Sequence, residues 1–222
     1  NRPRCKTTEF KDISKIKIKK IKDFYDDRFA DSSDFVFTFV GDFKIEDMNN
    51  EQMRKEIMAR EKRALGFKFD PIQGGGWQSN KDLLDTGIVF SNLKEHLILY
   101  VNEILSETYV DTATIRMINS WANISRKGEC TMPHIHEEAS WSCVYYATST
   151  EDANLYLKDP RLLEYMDKSH HYLKQPYANV IRKRPFAAGE AILFPSWLEH
   201  GVGVGTKDAI RISIASNFLI EK

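Results

Sequence analysis

The spacing of apolar residues changes once along this chain, from helical recurrence in the first half to strict alternation in the second. Upstream, the pattern predicts a helix over roughly Asn50 to Leu65, with Met53, Ile57 and Ala64 on one face and Gly66 placed to end it. A second helix carries Leu93, Leu97, Tyr100, Val101 and Ile104 at 3.6-residue spacing, and Asn92 with Glu95 matches a capping box. His96 borders that stripe and reads as an ordinary helix residue. Nearer the start, the alternation Ile16-Lys17-Ile18-Lys19 reads as an edge strand whose lysines face water and discourage edge-to-edge pairing. Between the helices, Gly74-Gly75-Gly76 has neither the lysine nor the following helix of a phosphate-binding loop.

From Thr112 the period becomes two and β-branched and aromatic residues dominate. Strands are predicted at Thr112 to Asn123, Ser140 to Ala147, Asn154 to Leu157, Asn179 to Arg184, Ala191 to Phe194 and Ile210 to Phe218. Short strands in series without intervening helices indicate a sandwich, barrel or jelly roll. A polar insertion from Arg161 to Gln175 interrupts them, and His170 and His171 within it read as exposed. The fold expected is therefore mainly β with N-terminal helices, an α+β chain. One domain spans residues 1–222, with strands and supporting helices in 1–111 and the site-bearing core in 112–222.

Composition narrows the function class. A chain of 222 residues with 42% hydrophobic and 29% charged residues can bury a core of its own and is not disordered or collagen-like. The 32 basic and 32 acidic residues cancel, which removes the electrostatic footprint of a nucleic-acid binder. No apolar run approaches the ~20 residues that span a bilayer. Cys5, Cys130 and Cys143 form no paired motif, and an odd count of cysteines suits a reducing, cytoplasmic compartment.

Candidate chemistry begins at Pro133-His134-Ile135-His136-Glu137-Glu138. If this segment enters a strand, His134, His136 and Glu138 share one face. Two imidazoles with a carboxylate suit a divalent transition metal, and that set with open positions is a non-haem Fe(II) site. Sixty-six residues after His134, a buried strand and a Pro-Ser bend lead to His200, a third ligand arriving from a distant part of a β scaffold. Arg211 then stands among Ile210, Ile212 and Ile214, where a guanidinium is costly without an anionic partner. That partner is either an internal Asp or Glu or the carboxylate of a ligand, which Arg211 and Ser213 would meet from one strand face.

Taken in order, Gly75-Gly76-Trp77-Gln78-Ser79, Trp121-Ala122-Asn123, His134-x-His136, Ser142-Cys143-Val144-Tyr145-Tyr146, Asp159-Pro160-Arg161, Phe194-Pro195-Ser196 with His200, and Arg211-Ile212-Ser213-Ile214-Ala215 with Asn217 resemble the 2-oxoglutarate/Fe(II) oxygenase family of bacteria and marine phages. The resemblance spans roughly Gly74 to Asn217. It implies a double-stranded β-helix, the jelly-roll or cupin-like core of these oxygenases, in a bacterial cell or a phage-infected host. It also implies His134 and His200 as iron ligands and Arg211 with Ser213 as the seat of the distal carboxylate of 2-oxoglutarate. Tyr145 matches a position that hydrogen-bonds the same carboxylate, and Asn123 falls in the cosubstrate pocket. The activity implied is a dioxygenase that uses Fe(II), 2-oxoglutarate and O2 to hydroxylate a small molecule or a protein side chain.

The sequence departs from the superfamily's usual H-x-D or H-x-E. The ligand frame is either His134, His136 and His200 or His136, Glu138 and His200, and the family's own H-x-H favours the first. Three neutral imidazoles leave the Fe(II) site with two net positive charges, against one when a carboxylate binds. Cys143 stands where the family tends to have Gly, and Trp121, Trp141 and Trp197 are candidates to wall the cavity. Two other classes share the fold: a cupin-like metalloprotein without 2-oxoglutarate, against which Arg211 and Ser213 argue, and a jelly-roll sensor or structural protein without catalysis. The sequence leaves the substrate and the oligomeric state unspecified, a homodimer being the commonest assembly of soluble proteins.

Overall fold

A computed structural model of the chain describes residues 41–45, 48–106, 109, 112–148, 150–158, 160 and 181–222. The edge strand expected at Ile16 to Lys19, Cys5, and the insertion with His170 and His171 lie outside the described residues. In order, the elements are β1 (Gly41–Lys44), α1 (Asn50–Lys62), β2 (Gly66–Lys68), β3 (Trp77–Ser79), α2 (Ile88–Ser106), β4 (Thr114–Ser125), β5 (Thr131–His134), β6 (Trp141–Tyr146), β7 (Thr150–Lys158), β8 (Ile181–Phe186), β9 (Glu190–Pro195), β10 (His200–Val202) and β11 (Arg211–Glu221). The strands form two sheets, ordered β1-β9-β6-β11-β4-β3-β2 and β5-β10-β7-β8, with every pairing antiparallel.

Residue parity decides what each face of the larger sheet meets. Ala122, Ile124, Cys143, Tyr145, Ile212 and Ile214 point to the helices, where they join Met53, Ile57, Leu93, Leu97 and Val101 in one apolar core. The opposite parity sends Tyr146, Ile192 and Phe194 toward Leu155, Leu157 and Val202 of the smaller sheet in a second core. The two sheets thus face each other as a jelly roll with helices packed outside, as the alternating pattern predicted.

Both helices differ from expectation at one end. Asn49 caps α1, its side chain accepting from the Gln52 amide at 3.0 Å. The helix stops at Lys62 and Ala64 turns to a φ of 56°, so Ala64 contributes nothing to the helix face. Gly66 opens β2 instead, and a side chain there would collide with Trp77 and the Gln78 carbonyl. Helix α2 begins a turn early, at Ile88 after Gly87, and Asn92 lies within it with its carbonyl 2.8 Å from His96 Nδ1. Phe90 and Leu105 complete its buried stripe, while Tyr100 and Ile104 sit half-buried at the border.

Short strands escaped the periodicity. β2, β3, β5 and β10 have three or four residues each, too few to display alternation. β10 passes between β5 and β7, and a Cβ on Gly201 would lie 2.7 Å from the Thr131 carbonyl, so only glycine fits that crossing. Gly76, at φ 89°, would bring a Cβ within 2.9 Å of the Ile124 carbonyl. The glycine run therefore serves to lay the β2–β3 hairpin against β4. Among the described residues, no helix is long and apolar enough to cross a membrane.

Candidate active site

The two sheets enclose a cavity of about 890 Å³. Its wall on the larger sheet is a grid set by strand register. Tyr146, Ser213, Asn123, Gln78 and Phe67 stand opposite one another on β6, β11, β4, β3 and β2, and all line the cavity. On one side of that row lie Arg211 and Ser125; on the other lie Ala215 with Trp121, then Asn217 with Asn119.

Three histidines converge at the Asn217 side. His134 ends β5 and stands opposite His200 at the start of β10. His136 follows in the turn that leaves β5, where its amide donates to the Ser196 carbonyl at 2.9 Å. The ligand nitrogens of the three lie within 4.8 Å of one another. Since β5 stops at His134, shared strand parity does not bring these residues together; the turn does. It also carries Glu138 to the exposed rim, outside this cluster, which separates the two frames left open by the sequence.

Each imidazole is oriented from behind. His134 Nδ1 donates to the Met132 carbonyl at 2.9 Å, and His200 Nδ1 to the Leu198 carbonyl at 2.8 Å. A carbonyl only accepts, so the proton sits on Nδ1 and the Nε2 lone pair is free. His136 Nδ1 donates to Asn217 Oδ1 at 2.7 Å, and Ser142 Oγ donates to that oxygen at 2.8 Å. Ser196 Oγ lies 2.8 Å from Ser142 Oγ and extends the chain. Burial, followed by the neighbouring His134, pushes His200 down to about 3, and burial lowers His136. Both are therefore held in the neutral form that binds a metal.

At the other end, Arg211 is 3% exposed and no Asp or Glu pairs with it among the described residues. Its Nη2 donates to Ser125 Oγ at 2.9 Å, while its Nε is buried without a partner. Burial lowers its pKa, with the nearby Tyr146 opposing that shift. Tyr146 Oη is likewise buried without a partner, and burial raises its pKa. Two orphaned donors on one cavity wall call for an acceptor that the chain itself does not supply. A ligand carboxylate meets that need, so the residues present fit 2-oxoglutarate, with the triad positioned for a divalent metal.

Of the predicted residues, His134, His136, His200, Arg211, Ser213 and Asn123 line this one cavity. Tyr145 does not. Its parity points it into the helix-facing core, where its hydroxyl donates to Asn50 Oδ1 at 2.6 Å and burial pushes its pKa up to about 12. Its neighbour Tyr146 lines the cavity instead. Adjacent tyrosines differ by one step of parity, and the apolar run around them offers no polar position to fix the face. Ser125 escaped because the strand extends two residues beyond the predicted end. Asn217, Ser142 and Ser196 stood in the resembling motifs without a role; they form the chain behind His136. Trp121 walls the cavity, with its ring 5.5 Å from that of His136. Trp141 lies in the core with its Nε1 donating to Tyr109, and Trp197 is largely exposed.

Against known proteins, residues 119–217 match the family described as "Putative 2OG-Fe(II) oxygenase". No curated protein sequence matches the chain. Among solved structures, the chain is similar to the non-haem alpha-ketoglutarate-dependent epimerase SnoN from nogalamycin biosynthesis, with a TM-score of 0.61 and 9% identity over 81% of this chain and 77% of that one. It is also similar to HygX from Streptomyces hygroscopicus, solved with nickel, 2-oxoglutarate and hygromycin B, with a TM-score of 0.55 and 12% identity over 91% and 87% of the two chains. A prolyl-4-hydroxylase from Pseudomonas putida gives a TM-score of 0.56 and 12% identity over 81% and 92%. At such identities these likenesses establish the shared fold.

Proposed function

We propose that this chain is an Fe(II)- and 2-oxoglutarate-dependent dioxygenase whose substrate is a small molecule or a protein side chain, a reading supported by the match of residues 119–217 to the family described as "Putative 2OG-Fe(II) oxygenase". The observation that carries the reading is the buried, acid-free Arg211 on the same cavity as three converging imidazoles. His134, His136 and His200 would hold the iron through Nε2. Arg211, Tyr146 and Ser213 would hold the distal carboxylate of 2-oxoglutarate, with Asn123 beside them. Held there, iron and 2-oxoglutarate would supply O2-dependent oxidation of the substrate coupled to decarboxylation of the cosubstrate.

The chain's own contribution is placement. Asn217 and the two carbonyls fix the imidazole planes before metal arrives. Arg211, rigid between two sheets, sets the register of the cosubstrate along the cavity, and its guanidinium is already desolvated. Phe194 of the larger sheet packs against the buried His200, with their rings 4.6 Å apart, and shields that imidazole from water. Free thiols at Cys130 and Cys143 support a reducing cytoplasmic setting, which keeps iron ferrous. The Arg211 anchor counts against a cupin-like site without 2-oxoglutarate.

Anaerobic titration of metal-free protein with Fe(II) and then 2-oxoglutarate tests the reading without knowledge of the substrate. A saturable visible charge-transfer band, weakened in Arg211→Ala, is the expected result. Iron binding with no such band would overturn the assignment of the cosubstrate.

A further inference from the structure

The cavity end where the triad converges carries polar groups that neither the triad nor the cosubstrate anchor uses. Lys81 follows β3, and its Nζ lies 5.7 Å from the centroid of the Trp121 ring. No ion pair engages that ammonium among the described residues, and its charge reaches His136. Asn119 lies two residues before Trp121 on the same strand face, opposite Asn217, and its Oδ1 is buried without a hydrogen-bond partner. Six residues separate Asn119 from Ser125, the partner of Arg211, which is about 20 Å along a strand. One 2-oxoglutarate cannot occupy both ends.

Resting on the oxygenase reading, the geometry points to Lys81, Asn119 and Trp121 as the substrate subsite, built for the zwitterionic end of an α-amino acid. The Lys81 ammonium, seated on the Trp121 ring, pairs with the carboxylate; the orphaned Asn119 Oδ1 accepts from the adjacent ammonium. Glu137 and Glu138 on the exposed turn give the rim the negative potential that a cationic group requires. Phe67, Met132 and Ile135 line the same cavity, each more than 40% exposed, and offer the side chain an apolar wall. The triad converges at this same end, with Asn217 of the His136 support directly opposite Asn119 and the Trp121 ring 5.5 Å from that of His136, so a substrate held here lies beside the metal site.

Calorimetric titration of protein loaded with Ni(II) and saturating 2-oxoglutarate separates the contributions, using phenylalanine, 3-phenylpropanoate and 3-phenylpropanamide as probes. The three share one apolar body and differ in carboxylate and ammonium. Phenylalanine should bind tightest and the amide weakest, with about a tenfold step for each charged contact. Lys81→Met should bring the propanoate down to the amide. Asn119→Leu should remove the advantage of phenylalanine over the propanoate. Both variants should keep wild-type affinity for Ni(II) and 2-oxoglutarate, which also reports that they are folded. Equal binding of the amide and the acids, absence of acid binding, or a carboxylate preference that survives Lys81→Met would each overturn the subsite. Failure of the wild-type protein to bind Ni(II) and 2-oxoglutarate would instead remove the oxygenase reading, and this proposal with it.

Discussion

Replacing Arg211 with methionine should have opposite effects on the ligand-free and the cosubstrate-bound protein. Without ligand, the guanidinium is 3% exposed, has no carboxylate partner among the described residues and leaves Nε unpaired, so it is a burden to the fold. An unsatisfied buried group costs about 1–3 kcal/mol, and exchanging buried charge for a hydrophobe of similar volume is often neutral or stabilising by about 1–4 kcal/mol. Against this, the exchange gives up the Ser125 hydrogen bond, about 1.5–3 kcal/mol for a charged donor. The net change is close to zero or stabilising by about 2 kcal/mol. For a chain of this length, that leaves Tm unchanged or raises it by roughly 4–8 °C. With 2-oxoglutarate the sign reverses: loss of a desolvated charge pair weakens binding by about 2–4 kcal/mol, roughly 30- to 1000-fold in Kd. Thermal unfolding with and without 2-oxoglutarate, at fixed metal, reads both effects. A variant that melts well below wild type in the absence of ligand, and still gains the wild-type Tm increment from 2-oxoglutarate, would refute the reasoning and make Arg211 a structural residue.

Other substitutions test separate parts of the site. Tyr146→Phe should weaken 2-oxoglutarate about 3- to 10-fold by calorimetry, whereas Tyr145→Phe should leave that affinity alone and cost about 1 kcal/mol of stability through loss of the Asn50 contact. Asn217→Leu should reduce metal affinity about 10- to 100-fold although Asn217 does not face the metal, because His136 loses the acceptor that fixes its ring. His134→Ala should abolish Fe(II) binding, while Glu138→Gln should leave it unchanged; the reverse pattern would restore the carboxylate frame. Asp152, whose carboxylate accepts from the Thr206 hydroxyl and the Thr206 and Lys207 amides, is held down to about 2. Its folded pKa lies below the unfolded value, so its contribution is present above about pH 4 and fades as pH falls toward 2. Asp152→Asn should accordingly flatten that acid limb in urea-unfolding profiles.

Long alternating strands and the cluster of three histidines were legible in the sequence because each rests on a local or strongly specific signal. β4, β6, β9 and β11 differ from prediction by only a few residues, since each buries one or both faces across its length. What periodicity could not supply was parity. Tyr145 and Tyr146 are equally apolar, equally aromatic neighbours, and only the pairing Tyr146↔Ser213 fixes which one meets the cavity. Strand alternation does not unite the H-x-H pair either: β5 ends at His134, and His136 reaches the cluster through a turn held by Ser196, a contact sixty residues distant that no spacing rule encodes. Lys81 and Asn119 were silent for a related reason. A single lysine after a three-residue strand and an asparagine inside a long one acquire meaning only when the sheet sets them on one wall.

The row of side chains from Phe67 to Tyr146 crosses five strands, and its two ends have different liabilities under mutation. Tyr146, Ser213 and Asn123 stand next to Arg211 on the cavity wall, so on the proposed function variation there would lower turnover of every substrate. Phe67 is on a three-residue edge strand, stacked edge-on with Phe69 at 5.0 Å, and neither ring shares a strand with the triad or Arg211. A library confined to Phe67, Phe69 and Ile72 would therefore sample new substrates on an unaltered reaction centre, which makes the β2–β3 hairpin the natural place to retarget this protein.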